Sequence, residues 1–360
     1  MVEEMTRQRI EPGSKDKALE GLLKRLQGLE IPADAICWRR FFGSMILVLL
    51  TLLFLSGVLM AFFYSPVPGT AYDSVDHLQF NLPMGNLLRG VHHYAWNLLL
   101  IVMGFHLFRA FILGAYKAPR QLVWISGVSF FLIIPLFIIT GDLLPWDQKG
   151  YWSTQVRLSI IGSIPVVGDL LVQMFRGGPL TGIVALTRFY ILHILLLPGA
   201  LIFLIAFHLY ALVTRGLSGP LSGNGTPRPR APFFPVIVNR WLLLFIVSAI
   251  GLGIMAWRWP APLGDPADPT DSSFIPRPEW WVLFLNQLVT IFKGPLMIIG
   301  SAIIPGGLLV LMTALPFLDR SPERRPWRRK RVMIIAIVII AVLTVLSVMG
   351  YIEHFVRPEH

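Results

Sequence analysis

The sequence predicts an all-α protein that crosses a membrane seven times. Of its 360 residues, 55% are hydrophobic and only 14% are charged, whereas ordinary soluble domains carry about 25% charged residues. Seven stretches lack Asp, Glu, Lys and Arg over a length that suits a membrane-spanning helix. These predicted spans are 43–63, 90–108, 122–140, 189–213, 241–256, 294–318 and 332–352.

The basic residues predict the orientation. If the N-terminus lies inside, the inner segments hold 22 of the 31 Lys and Arg residues, as the excess of positive charge on cytoplasmic loops requires. The run 319–331 contributes seven of them. The net charge of +11 therefore indicates anchoring against membrane lipid and no nucleic-acid partner. We expect a multi-pass protein of a bacterial plasma membrane with a cytoplasmic N-terminus, because no cleavable signal or transit segment is recognisable.

Three domains are predicted along the chain. Residues 1–42 form a cytoplasmic segment in which Leu22, Leu23, Leu26 and Leu29 have the spacing of a helix lying on the membrane surface. Residues 43–220 contain the first four spans and residues 221–360 the last three. The Gly- and Pro-rich run at 218–232 links them. Two long loops, 143–187 and 259–293, lie on the outer side, where long loops often carry function.

Histidines inside an apolar span are costly and indicate function. At about 100° per residue, His92 and His106 share one face of the second span, whereas His93 faces away from His106. The fourth span carries His193 and His208, fifteen residues apart. Because both spans run in the same direction, His92 lies level with His193, and His106 with His208. Each pair forms a separate site, about 20 Å from the other.

Two bis-histidine sites at two depths predict two haems, because imidazole is an axial ligand of haem iron. Gly43 and Gly57 in the first span, and Gly127 and Gly141 in the third, repeat the fourteen-residue histidine spacing. A backbone without side chains allows a flat macrocycle to approach. Cys37 is the single cysteine and no CxxCH motif is present, so the haems are expected to be non-covalent. The first four spans are thus predicted to form a di-haem four-helix bundle.

Several motifs resemble the cytochrome b family in its plastid-type branch. They are "RGVHH" with "GFHLFR", "GDLLPWDQKGYW" (141–152), "IPVVGDLLVQMFRGG" (164–178), "LTRFYILH" (186–193) and "RPEWW" (277–281). The first four spans resemble the cytochrome b subunit of the plastoquinol–plastocyanin reductase. The last three resemble subunit four of that complex, here joined in one chain.

The resemblance implies the core subunit of a quinol:cytochrome c (or similar acceptor) oxidoreductase that is inactive alone. Quinol is oxidised at an outer site. One electron passes to a Rieske iron–sulfur protein, while the other crosses through both haems to an inner quinone site, coupled to proton translocation. A c-type cytochrome subunit and a homodimeric complex are implied as partners. His92 and His193 would bind the outer, low-potential haem, and His106 and His208 the inner, high-potential haem.

Further site residues follow from the same resemblance. Arg89 and Arg188 are expected to bind cofactor, since Arg89 precedes the first histidine ligand by three residues, as the family's haem-propionate arginine does. Pro278, Glu279 and Trp280 match the family's Pro-Glu-Trp-Tyr motif, in which the glutamate takes a proton from quinol. A carboxylate in a partly apolar pocket suits proton exchange near neutral pH.

The chain departs from the family pattern in places. Trp281 replaces the usual tyrosine, so a phenol donor is lost. Asp142 stands where the plastid type usually has a tyrosine, and it either pairs with a nearby base or relays protons. The plastid branch attaches a further haem through one cysteine, but that position is Phe41, and the arginine serving that haem is Val213. No extra covalent haem is therefore expected.

Two other functional classes compete with this interpretation. A di-haem membrane anchor that relays electrons to a different oxidoreductase needs the histidines, but it has no use for the 143–187 loop or for "PEWW". A transporter that uses membrane histidines for protons or metal predicts unpaired charges along a path through the membrane. The predicted spans lack such charges, which disfavours a transporter.

Overall fold

The computed structural model describes residues 30–32, 41–216, 218, 230–232 and 236–356. The predicted surface helix around residues 22–29 and Cys37 lie outside these ranges. The described residues form helices and one antiparallel pair of three-residue strands, β1 (Glu30–Pro32) and β2 (Arg230–Pro232). The pairing joins the segment before the first span to the segment before the fifth.

The helices are α1 (Phe41–Ala61), α2 (Pro68–Asp76), α3 (Gly85–Ile112), α4 (Gln121–Asp142), α5 (Gln148–Gly162), α6 (Gly168–Arg176), α7 (Ile183–Arg215), α8 (Val236–Arg258), α9 (Leu283–Ile291), α10 (Ile304–Leu318) and α11 (Lys330–Tyr351). Of these, α1, α3, α4, α7, α8, α10 with its lead-in from Gly294, and α11 are long and apolar enough to cross a membrane. The predicted all-α class with seven spans is confirmed.

Several helices extend beyond the charge-free windows from which they were predicted. α3 continues through Arg89 back to Gly85, and α7 begins at Ile183, before Arg188. Backbone hydrogen bonds do not depend on side-chain polarity, and long basic side chains near helix ends reach the membrane surface. Apolar windows therefore locate the spans but underestimate the length of helices such as α3 and α7.

The main core lies between the first five spanning helices. Its buried members include Leu49 of α1, Leu99 of α3, Ile134 of α4, Leu197 of α7 and Leu252 of α8. α3 and α8 approach closely, because a Cβ atom on Gly90 would lie 2.4 Å from the Cβ of Ala256. Small residues at a helix contact allow such an approach.

The two long loops pack together at one end of the bundle, here called the His92 end. A buried apolar cluster there consists of Ala71, Leu143, Trp146, Tyr151, Leu186 and Phe189. Asp147 caps α5 by accepting from Gly150 N at 2.8 Å, and it also accepts from Gly264 N at 3.1 Å. This one carboxylate therefore joins both loops.

A buried ion cluster closes the opposite end, here called the His106 end. Lys117 Nζ lies 2.6 Å from Asp319 Oδ1, and Arg329 Nη1 lies 3.5 Å from Asp319 Oδ2. The Tyr116 hydroxyl donates to the same carboxylate. Burial raises the pKa of Asp319, but hydrogen bonds from Lys117 and Tyr116 with the nearby positive charges outweigh burial, so its pKa falls below the ordinary value. The cluster ties the α3–α4 loop to the α10–α11 loop.

Candidate functional site

The four predicted haem ligands lie as two pairs near the two ends of the bundle. The ring centroids of His92 on α3 and His193 on α7 are 6.4 Å apart. Imidazoles that bind one metal ion from opposite sides, each at about 2 Å, place their centroids roughly 6 Å apart. The spacing therefore accommodates an ion between the rings. At the other end, His106 and His208 lie within electrostatic range of each other.

A π-helical segment in α7 reconciles the unequal histidine spacings. In a uniform α-helix, fifteen residues turn about 60° beyond four full turns, whereas fourteen stop about 40° short. The segment Leu192–Leu196, which contains His193, is a π-turn, and such a turn absorbs one extra residue. Pro198 follows two residues later and has no N–H to complete a regular α-helical ladder. His208 therefore takes the angular position that a fourteen-residue spacing would give.

Each of the four predicted glycines faces one of the four histidines. A Cβ atom built on the glycine would lie 3.7 Å from His106 Cε1 at Gly43, 3.2 Å from His92 Cε1 at Gly57, 3.6 Å from His208 Cε1 at Gly127, and 2.7 Å from His193 Cε1 at Gly141. The glycines on α1 thus serve the ligands on α3, and those on α4 serve the ligands on α7. At Gly141, the contact is so short that an added Cβ atom would force the His193 ring to shift.

Three of the four imidazoles share a further contact that sequence reasoning missed. In each, the hydroxyl of the residue before the glycine lies within hydrogen-bond distance of the histidine Nδ1. The pairs are Ser56 with His92 at 2.9 Å, Ser126 with His208 at 2.9 Å, and Thr140 with His193 at 3.1 Å. A signal was present in the sequence, since a serine or threonine precedes three of the four glycines.

The hydroxyl protons indicate the tautomer of these histidines. Each hydroxyl donates to the carbonyl four residues earlier, at 2.6 Å for Ser56, 2.8 Å for Ser126 and 2.7 Å for Thr140. Because a hydroxyl has one proton, its oxygen is left to accept from Nδ1–H. The carbonyl of Phe137, which can only accept, lies 3.1 Å from Nδ1 of His193. Nε2 is then the nitrogen with the free lone pair, as a metal ligand requires.

The donor set fits haem better than a bare metal ion. Within the described ranges, no group of three or more His, Cys, Asp or Glu side chains is placed to hold a metal ion. Protein sites for a bare ion such as zinc use three or four protein ligands, whereas haem iron takes only axial ligands from the protein. Paired imidazoles with glycines beside them supply such ligands.

The two predicted cofactor-binding arginines lie toward the His92 end and already bind backbone carbonyls. Arg89 donates to two carbonyls of the 259–293 loop, at 2.7 and 2.9 Å, and to the side chain of Gln79. Arg188 donates to two carbonyls in the last turn of α6, at 2.6 and 3.0 Å. Both arginines therefore brace the loops at the His92 end, and their role toward haem stays a prediction.

Two ion pairs lie at the His92 end. Lys149 binds the carboxylate of Glu279, and Arg157 Nη2 lies 2.7 Å from Asp142 Oδ2. Burial lowers the pKa of Lys149, but Asp142 and Glu279 outweigh burial and raise it above its ordinary value. Lys149 therefore stays charged across the neutral range and links the two carboxylates electrostatically. Of the two alternatives for Asp142, pairing with a base is present. The sequence did not reveal Lys149 and Arg157 as the partners.

The "PEWW" motif sits where the last loop meets the bundle. Trp280 Nε1 donates to Asn97 Oδ1 of α3 at 2.8 Å, which ties the motif to the helix that carries His92. Glu279 is the residue before a 3₁₀ turn at Trp280–Val282, and Pro278 precedes it. The ring of Trp281 packs against the main core, and its buried Nε1 has no hydrogen-bond partner among the described residues. The motif thus holds Glu279 close to α3 and α5.

Known proteins resemble about half of the chain in sequence. The family model described as "Cytochrome b(N-terminal)/b6/petB" matches residues 97–266. The cytochrome b6 of Synechococcus sp. (strain CC9605) is 38% identical over 179 residues, which are 50% of this chain and 82% of that protein. The cytochrome b6 of Prochlorococcus marinus (strain MIT 9211) matches with the same identity and coverage.

A solved structure resembles nearly the whole chain. A chain of a structure titled "Hyperthermophilic respiratory Complex III" superimposes with a TM-score of 0.80 at 25% sequence identity. The match covers 94% of this chain and 90% of the other. The similarity therefore continues beyond residue 266, where the family-model match ends, into the last two spans.

Proposed function

This chain belongs to the cytochrome b/b6 family, and we propose that it is the di-haem subunit of a quinol-oxidising complex. In this proposal, one electron of each quinol passes to a Rieske iron–sulfur protein, and the other crosses the membrane to a second quinone site. Membership of the family already makes it a multi-pass membrane protein of an oxidoreductase complex, and cytochrome b proteins bind b-type haem.

The proposal rests on one arrangement that occurs twice, a pair of histidines in which each imidazole is faced by a glycine. Two such pairs lie at the two ends of one bundle, and a glycine faces each of the four imidazoles. His92 with His193, and His106 with His208, would each hold one haem through Nε2. Bound haem supplies one-electron transfer between the two ends. The chain's part is to hold the imidazoles at fixed depth and keep Nε2 free of protons.

Glu279 is proposed to accept a proton from quinol at the His92 end. Its side chain is only 18% exposed and is ion-paired with Lys149, so its position at this end of the bundle is fixed. Trp280, anchored on Asn97, fixes the backbone beside it. Pro278 begins the turn and limits its freedom. Asp142, close to Lys149, would receive the proton next.

The relay through Asp142 has a direct test. Asp142→Asn keeps the shape of the side chain but removes the charge that pairs with Arg157. The relay predicts a slower turnover and a changed pH profile of quinol oxidation. Unchanged turnover and an unchanged profile would leave Asp142 with a purely structural role as the partner of Arg157.

Orientation, partners and domains complete the proposal. We place the His106 end on the cytoplasmic side of a bacterial plasma membrane, because two loops that hold ten Lys and Arg residues, 109–120 and 319–331, lie at that end. A Rieske protein and a c-type cytochrome would receive electrons at the His92 end, and the complex would be a homodimer. The division at 42 and 220 into three domains, with the last one resembling subunit four, belongs to the same proposal.

Quinol oxidation by the isolated complex tests the proposal. Glu279→Gln is expected to lower the rate by about 10²-fold, as loss of a general base does, while both haems stay bound. The matched control is Asp268→Asn, an exposed acid on the same loop whose side chain binds Thr270, and it should retain the wild-type rate. A fully active Glu279→Gln complex would overturn the role of Glu279, whereas a wild-type complex that holds both haems but does not oxidise quinol would favour a di-haem anchor that serves another oxidoreductase.

A further inference from the structure

One of the four imidazoles lacks the contact that the other three share. The fourth glycine, Gly43, is preceded by Phe42 rather than by a serine or threonine. The Nδ1 atom of His106 is buried and has no hydrogen-bond partner among the described residues. The ring of Phe42 stacks on Phe105 instead, with centroids 6.0 Å apart and planes at 19°. Phe42 thus occupies the position from which an acceptor would reach His106.

We propose that Phe42, by denying His106 an acceptor, raises the midpoint potential of the haem held by His106 and His208 above that of the haem held by His92 and His193. The inference rests on the proposed haem ligation and adds a residue that directs electron flow between the two sites. Phe42 acts through His106 and is a positioning residue, because it need not touch the haem.

The physical basis is the basicity of the axial ligands. An imidazole that donates Nδ1–H to an acceptor gains electron density at Nε2 and becomes a more basic ligand. Second-shell hydrogen bonding is therefore one of the protein's controls on haem potential. A more basic ligand stabilises the oxidised iron and so lowers the midpoint potential.

The two pairs differ in the number of acceptors. The pair of His92 and His193 has four, namely the hydroxyls of Ser56 and Thr140 and the carbonyls of Leu53 and Phe137. The pair of His106 and His208 has two, the hydroxyl of Ser126 and the carbonyl of Val123, and both act on His208. The oxidised state is therefore favoured at the first pair and the reduced state at the second.

Nearby positive charges do not cancel this difference. Arg89 acts electrostatically on His92, and Arg109 acts on His106. Each pair therefore has one arginine beside its α3 ligand. The two sites therefore differ in the number of hydrogen-bond acceptors at their imidazoles. This difference directs an electron from the His92 end toward the His106 end.

The test compares Phe42→Ser with Phe42→Ala in the holo-protein. Both variants remove the ring, but only serine places a hydroxyl before Gly43, as at the other three sites. Potentiometric titration of the visible spectrum should show that serine lowers the midpoint of the His106–His208 haem relative to alanine by about 59 mV, a tenfold change in the ratio of reduced to oxidised haem. The other haem should not shift. A His106→Leu variant assigns the two spectral components.

A second variant keeps the test independent of folding around Phe42. Ser126→Ala removes the hydroxyl acceptor of His208, the other ligand of the same pair, and should raise the midpoint of the same haem. Equal midpoints for Phe42→Ser and Phe42→Ala, or no shift in Ser126→Ala, would overturn the inference while leaving the proposed function intact. Haem content measured on the wild type separates the two failures, because fewer than two haems per chain would overturn the proposed ligation itself.

Discussion

Gly141→Ala is expected to weaken haem binding at the pair of His92 and His193 while the other pair keeps its haem. The added Cβ would lie 2.7 Å from His193 Cε1 and 3.2 Å from Nδ1. The ring is held by Thr140 and the carbonyl of Phe137, so it cannot move aside without losing these contacts. Overpacking of this kind costs about 1–3 kcal/mol. At 1.4 kcal/mol per factor of ten, haem affinity should fall roughly tenfold to hundredfold.

The four glycines form a graded series. The distance from the added Cβ to the histidine ring is 2.7 Å at Gly141, 3.2 Å at Gly57, 3.6 Å at Gly127 and 3.7 Å at Gly43. Alanine should therefore perturb haem binding most at Gly141, less at Gly57, and least at the last two. Gly104→Ala is the matched control, because Gly104 lies on the same helix as two ligands and its Cβ would meet nothing within 4 Å.

The assay is the ratio of extracted haem to chain, with difference spectra to identify the haem that remains. Thermal unfolding of each variant shows whether the fold is intact. If Gly43→Ala lost as much haem as Gly141→Ala in equally stable proteins, the distance to the imidazole would not control binding, and the reasoning would be wrong.

Three other predictions concern charge and attachment. Lys149→Met should slow quinol oxidation about tenfold, because Glu279 is no longer held in place, whereas Lys149→Arg should have a smaller effect in the same rate assay. Asp319→Asn should remove about 3–5 kcal/mol of stability, since it leaves buried cations uncompensated; a thermal midpoint equal to that of the wild type would contradict this. Because the pKa of Asp319 is lowered in the folded protein, its contribution to stability is present above about pH 4 and is lost as the pH falls through the folded pKa. Asp319→Asn lacks this contribution at every pH. Its thermal midpoint should therefore fall less on acidification than that of the wild type. Haem staining after denaturing electrophoresis should be negative, and a stained band would indicate covalent attachment through Cys37.

Features that depend on local composition could be predicted from the sequence. The seven spans can be predicted because each contains a long stretch without charged residues. The histidine pairs and the glycines that face them can be predicted because they recur at a spacing of fourteen or fifteen residues. The predicted depths agree with the contact between His92 and His193, because rise per residue is nearly constant along a helix. The ligand and quinol-site roles stay predictions that the experiments above test.

Features that depend on how helices rotate against one another could not be predicted. The π-turn at Leu192–Leu196 changes the angular position of His208 around α7. A prediction that assumes a uniform α-helix does not include this change. The hydroxyl contact of Ser56 with His92 joins residues 36 apart, and the ion pair of Lys149 with Glu279 joins residues 130 apart. Such partners are fixed by packing between segments, which a single sequence does not specify.

The central claim is that one chain holds two haems on two histidine pairs. It is tested most directly by a potentiometric titration of the visible spectrum of the detergent-purified holo-protein, with haem and chain quantified in the same sample. We predict two extractable b-type haems per chain that titrate as two components with separate midpoint potentials. One haem per chain, or none, would contradict the assignment of the four histidines.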